Sequence, residues 1–145
     1  MSKQYSLVCR PKKWISEPDL KKHYSNDLDL HVYENDGQVV SNFELMCGAI
    51  DDAIHARYLE SVLDDAGEVE AGRVEWVEEE TEGWLFWIRS NEVTFEGKFD
   101  QGSGGKVSLE QFKLAVSTFR DFLNDPKRDP IEVPFPDGDG RQQVN

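Results

Sequence analysis

The chain has 145 residues, 16 basic and 29 acidic side chains, and a formal net charge of −13. That length suits one domain and buries about 68–70% of the unfolded surface, so no metal or disulfide staple is needed to hold a core. The charge excludes a nucleic-acid binder of the usual kind, which needs Lys and Arg for phosphate, and it disfavours an anionic membrane surface. Four Trp, four Tyr and eight Phe also exclude a disordered chain.

The charge is unevenly placed. Residues 1–40 balance six basic against six acidic side chains. Residues 41–82 hold thirteen acidic side chains against Arg57 and Arg73, a net of −11, and residues 83–145 come to −2. The N-terminal residues lack the apolar run of a signal peptide, and no stretch has the length of a membrane span. The expectation is a soluble, cytoplasmic protein. Cys9 and Cys47 read as buried free thiols, because a disulfide framework needs more cysteines at regular spacing.

Tyr5 to Arg10 reads as a strand, stopped by Pro11. A short helix follows, with Ser16 as its N-cap and Pro18 and Asp19 in the first turn. Leu28, Leu30 and Val32 alternate with Asp29, His31 and Tyr33, the pattern of a half-buried strand. Asn35-Asp36-Gly37 makes a turn, and Gln38 to Val40 returns as a short partner strand. Ser41 and Glu44 spell a capping box, opening one long helix whose stripe runs from Leu45 through Ile50, Ile54 and Tyr58 to Leu63. Gly67 is expected to end it.

Residues 73–100 predict a three-stranded antiparallel meander: Arg73 to Glu79, Trp84 to Arg89, and Val93 to Asp100. In the last strand Val93, Phe95 and Phe99 share one face. The middle strand is apolar on both faces, with Trp84, Phe86 and Ile88 on one and Leu85 and Trp87 on the other. It is either covered twice or leaves one face for a partner. Gln101 to Gly105 reads as a flexible glycine-rich connection. Ser108 and Gln111 form a second capping box for a helix ending at Asn124-Asp125-Pro126. The fold class is thus α+β: an antiparallel sheet of about five strands, including the meander, packed with two main helices and one short one. Residues 1–124 form a single domain. Residues 125–145, with four prolines, form an extended arm whose Ile131, Val133 and Phe135 can pack back on the body.

Candidate chemistry is thin. Asp27, Asp29 and His31 project from one strand face and could ligate a metal or move a proton, but a solvent-facing polar edge explains them as well. The segment from Gly102 to Lys106 lacks the full phosphate-loop pattern, and Asp137-Gly138-Asp139-Gly140 lacks the Glu of a calcium loop. No catalytic residue, metal site or cofactor is assigned. What stands out is acidity: Asp64, Asp65, Glu68 and Glu70 at the exit of the long helix, then Glu75, Glu78, Glu79, Glu80 and Glu82 around the first meander turn, flanking Arg73 and Trp76. Such a surface either keeps the protein soluble or docks a basic partner, which would relieve its self-repulsion.

The run from Trp84 to Leu123 pairs an aromatic strand (WLFWIR) with a second strand (VTFEGKF), a glycine-rich loop and the helix SLEQFKLAVSTFRDFL. In this layout the chain resembles small acidic immunity proteins of bacterial toxin–immunity systems, of the contact-dependent growth inhibition and polymorphic toxin type. The resemblance implies a cytoplasmic inhibitor, not an enzyme, that neutralises a cognate toxin domain, a basic nuclease, without touching nucleic acid itself. The acidic residues and Trp76 would form the partner-binding surface. The alternatives are a nucleic-acid mimic that inhibits a DNA-binding enzyme, and a metal-dependent enzyme built on Asp27, Asp29 and His31.

Overall fold

The computed structural model describes residues 4–11, 28–53 and 55–136. The helix expected at Ser16, the side chain of Asp27 and the segment from Asp137 lie outside them. Strand β1 (Tyr5–Pro11) and strand β2 (Leu28–Glu34) lead to a 3-10 turn at Ser41–Phe43 and helix α1 (Glu44–Asp51). Helix α2 (Ala56–Glu70) is followed by β3 (Trp76–Glu80), β4 (Trp84–Arg89), β5 (Val93–Gly97) and β6 (Ser103–Val107). Helix α3 (Leu109–Asn124) and strand β7 (Ile131–Phe135) complete the order.

The fold is α+β, but its strands form two antiparallel sheets rather than one of five: β2-β1-β7 and β3-β4-β5-β6. The reason lies in α3. Leu109, Phe112, Ala115, Val116, Phe119 and Phe122 are all buried, together with Gln111 and Thr118. An apolar surface that wide needs cover on more than one side. One side meets β1 and β7. On the other, the Phe112 ring lies 5.8 Å from Phe86 and 6.1 Å from Phe95 of the second sheet. Helices α1 and α3 therefore lie between the sheets, and the buried residues form one continuous core.

The long helix expected from Ser41 to Gly67 is two helices. A straight helix of that length would span about 40 Å, yet its halves share only part of their packing. Helix α1 packs on β2, β5 and β6 as well as on α3 and β4, and α2 packs on α3, β3 and β4. His55 has the extended backbone of an N-cap (φ −135°, ψ 133°). Asp52, just before the break, turns its carboxylate to the Gly83 N–H at 2.8 Å. The Ser41–Glu44 capping box is not made; Phe43 precedes α1 without a side-chain cap. Helix α2 also runs through Gly67 to Glu70, and Gly72, at φ +79°, supplies the left-handed residue that stops it.

Three smaller expectations change. The Gln38–Val40 partner strand is a single bridge between Tyr33 and Val39. The glycine-rich connection is in part strand β6, paired with β5 through a register shift between Val93 and Phe95. Phe99 leaves the inner face: β5 ends at Gly97, Asp100 adopts φ +66°, and the Phe99 side chain is 72% exposed.

Other signals hold. In the α3 capping box Ser108 Oγ accepts from the Gln111 N–H at 3.0 Å, and Gln111 Oε1 accepts from the Ser108 N–H at 2.9 Å. Gln111 Nε2 donates to the Pro136 carbonyl at 3.0 Å, tying the end of β7 to the start of α3. Ile131, Val133 and Phe135 turn inward on β7, with Phe135 buried. Gly48 permits a close approach: a Cβ there would stand 2.9 Å from the Trp84 indole. That contact seats the second sheet on α1.

Candidate functional site

Strand alternation decides what the second sheet shows to solvent. On β4, Trp84, Phe86 and Ile88 are buried against the helices, so Leu85, Trp87 and Arg89 point outward. Their register partners are Glu80, Glu78 and Trp76 on β3 and, for Leu85 and Trp87, Glu96 and Thr94 on β5. Among the described residues no element covers this outer face. Leu85 and Trp87 stay half-buried although β4 is a central strand, and Trp76 is 51% exposed. Aromatic and aliphatic surface is thus interleaved with carboxylates.

Hydrogen bonds fix several of these side chains. Trp87 Nε1 donates to Glu78 Oε1 at 3.0 Å, and Arg89 Nη1 to Thr94 Oγ1 at 3.2 Å. The Lys98 ammonium binds the Glu80 carboxylate and donates to the Thr81 carbonyl at 2.9 Å. The Trp87 indole and the Glu78 and Glu80 carboxylates are therefore held in place beforehand, which lowers the entropy cost of docking.

The ten residues expected to form a partner surface separate into three groups. Trp76, Glu78 and Glu80 stand on the outer face of β3, with Glu75 and Glu82 exposed at its two ends. Along α2, Asp64 is exposed, whereas Glu68 and Glu70 have partners. Glu68 takes a two-pronged bond from Arg73 (Nε to Oε1 3.0 Å, Nη2 to Oε2 2.8 Å), which holds its carboxyl below the usual range. Glu70 takes Lys113 of α3 at 2.5 Å. Asp65 and Glu79 form the third group, both half-buried, Asp65 on α2 and Glu79 on the inward face of β3.

Glu79 is the inward member of an alternating strand and meets Tyr58, whose O–H donates to Glu79 Oε1 at 3.2 Å and lies 3.2 Å from the Glu80 carbonyl. Its Oε2 is buried without a conventional donor. Burial, then the hydrogen bond and charge of Asp65, push the Glu79 carboxyl up to about 8, against the opposing pull of the Tyr58 O–H. Burial and the same carboxylate push the Tyr58 hydroxyl well up.

Asp29 and His31 do share the outer face of the first sheet. His31 Nδ1 lies 3.0 Å from Glu44 Oε2, and Nε2 is 3.9 Å from Asp29 Oδ1. The Glu44 hydrogen bond raises the imidazole pKa against the effect of burial. Glu44 thus serves His31 rather than a capping box. Among the described residues no group of three or more His, Cys, Asp or Glu is placed to hold a metal ion. Cys9 and Cys47 are free and buried; burial, then Asp51, raises Cys9 to about 12, and burial raises Cys47 further above its ordinary value. Neither is a ready nucleophile.

Sequence reasoning missed Glu96 and Arg89 as parts of the outer face and missed the Asp65–Glu79 pair. The alternation in VTFEG and WLFWIR carries the first signal. The second needs the placement of α2 under β3, which no local pattern encodes. No helix among the described residues is long and apolar enough to cross a membrane. No family model, curated protein or solved structure matches the chain.

Proposed function

We propose that the chain is a cytoplasmic immunity protein that binds and neutralises a cognate bacterial toxin domain, a basic nuclease, and that the outer face of the β3–β6 sheet is its docking surface. One observation supports this reading above the rest: Trp76, Leu85 and Trp87 lie on an uncovered sheet face set with Glu78, Glu80 and Glu96. A face meant only for solubility gains nothing from indoles. A face meant for an apolar partner would not carry three carboxylates. Aromatic anchors in an acidic field suit a protein partner that is basic, and clusters of this kind dominate binding energy. The run that resembles immunity proteins in layout forms β4, β5, β6 and α3, the scaffold on which this face is carried.

The test is co-expression with the toxin domain encoded by the neighbouring gene. Growth should be restored, a stable complex should be recovered, and association should slow steeply with salt. No rescue together with no complex overturns the reading. Capture of a DNA-binding enzyme in competition with DNA would instead assign nucleic-acid mimicry. Self-association through Trp76 would assign the face to a second copy.

A further inference from the structure

We propose that the open edge of strand β3 takes up an extended segment of another protein, one that carries lysine or arginine at alternate positions and joins the second sheet as a further strand. The inference concerns how a partner attaches, and it holds whether or not that partner is a toxin.

Two open sheets leave four edges, and three of them are blunted. Along β2, Val39 bridges Tyr33, and the Val40 N–H donates to the Val32 carbonyl at 2.8 Å. Strand β7 carries Pro134, which has no N–H to offer. Strand β6 is bent by Gly104 at φ +98° and Gly105 at φ +56°, beside its register shift against β5. Strand β3 has none of these devices. Its register with β4 is unbroken from Trp76 to Glu80, and no residue in it has a positive φ.

The hairpin fixes which groups face the edge. The Thr81 N–H donates to the Trp84 carbonyl at 2.9 Å. Alternation then gives the backbone of Glu79 and Val77 to β4 and turns that of Trp76, Glu78 and Glu80 outward. Among the described residues only the Tyr58 hydroxyl reaches these groups, 3.2 Å from the Glu80 carbonyl.

Charge selects the occupant. A second copy paired antiparallel about Glu78 would set that carboxylate against its own counterpart, and like charges directly opposite are destabilising. Glu78 accepts the Trp87 indole N–H but meets no cation among the described residues, whereas Glu80 already holds Lys98. A basic side chain opposite Glu78 supplies that cation. The next one along, opposite the exposed Trp76, stacks on the indole.

The test is amide exchange in the full chain, with a short peptide of alternating lysine and valine as the probe. In the free chain the amides of Val77 and Glu79 should be protected and those of Glu78 and Glu80 should exchange fast. Peptide at about ten times its Kd should slow Glu78 and Glu80 about tenfold. A peptide of alternating glutamate and valine should not. Glu78→Pro removes an edge-facing N–H that the β4 ladder does not use, so it should abolish binding with Val77 and Glu79 still protected, whereas Glu78→Gln should weaken binding only a few-fold. Glu78 and Glu80 amides already slow in the free chain, or slowing as protein concentration rises, overturn the inference, because the chain or a second copy then fills the edge. No protection by the lysine peptide, equal protection by both peptides, or equal losses in the two variants also overturn it. None of these outcomes bears on toxin rescue, which tests the function proposed above separately.

Discussion

The two sheets bury their inner faces in one core yet show solvent opposite characters. On the outer face of β2-β1-β7, charges of both signs mix: Arg10 stands opposite Asp29 and donates to the Tyr33 hydroxyl at 2.7 Å, 5.4 Å from its ring centre, and His31 binds Glu44. On the outer face of β3–β6, Glu78 and Glu80 follow an indole that is half in water, with Lys98 answering only Glu80, and Glu75 and Glu82 extend the acidity past both strand ends. The same core physics builds both. The difference lies only in the positions that alternation releases from packing, and that is where function has room to differ.

Cutting the link between the sheets should have the largest effect. Phe112 joins them through α3, so Phe112→Ala should cost about 3–5 kcal/mol and lower one cooperative denaturation midpoint. Two separate transitions would show that the sheets are independent and break the comparison at its root. Next comes the asymmetry of the faces. Trp76→Ala should weaken toxin binding by about 2 kcal/mol, roughly 30-fold, while Arg10→Ala on the other sheet should leave the measured Kd unchanged. Equal losses from the two would erase the contrast.

The third prediction concerns pH. Folded Glu79 holds its proton to about 8, whereas the unfolded side chain ionises near 4.5. Folding therefore loses stability as pH rises between these values. The side chain is half exposed, which screens the effect, so Glu79→Gln should gain only about 1 kcal/mol at pH 8.5 and nothing at pH 4. Glu78→Gln, one position along on the outer face, should show no such trend in urea titrations. The smallest effect belongs to the first sheet. His31 is raised by Glu44, so its contribution is present below pH 6.5 and is lost as pH rises through the folded value. Glu44→Gln should remove about 0.5 kcal/mol at pH 5.5 and little at pH 9.

What the sequence makes legible follows from range. The alternation of Leu28, Leu30 and Val32, the meander strands and the Ser108–Gln111 box are local patterns, and each is present. The break between α1 and α2 was hidden because Ala53 is buried and sustains the apolar stripe across it. Only the change in packing, from β2, β5 and β6 under α1 to β3 under α2, reveals the turn. The division into two sheets was hidden for a similar reason, since β1 takes its second neighbour from the arm. For the candidate surface, composition located the acidity but could not say which carboxylates face out. Glu78 and Glu80 do, Glu79 and Asp65 do not, and Glu68 is answered by Arg73. Alternation separates Glu79 from its neighbours once a strand is known to lie on a helix, but that knowledge is tertiary.

The Tyr5–Phe135 and Cys9–Ile131 pairings carry a consequence for synthesis. Strand β1 is the middle of its sheet, and one of its two edges is filled by a segment more than a hundred residues later. At about 5–20 residues per second a ribosome needs on the order of ten seconds to deliver it. Throughout that interval β1 offers an open row of amides and carbonyls to whatever nascent strand or chaperone stands nearby. Closure of this sheet is therefore a late event in the life of each new molecule, and overexpression faster than closure should show first as aggregation through the β1 edge.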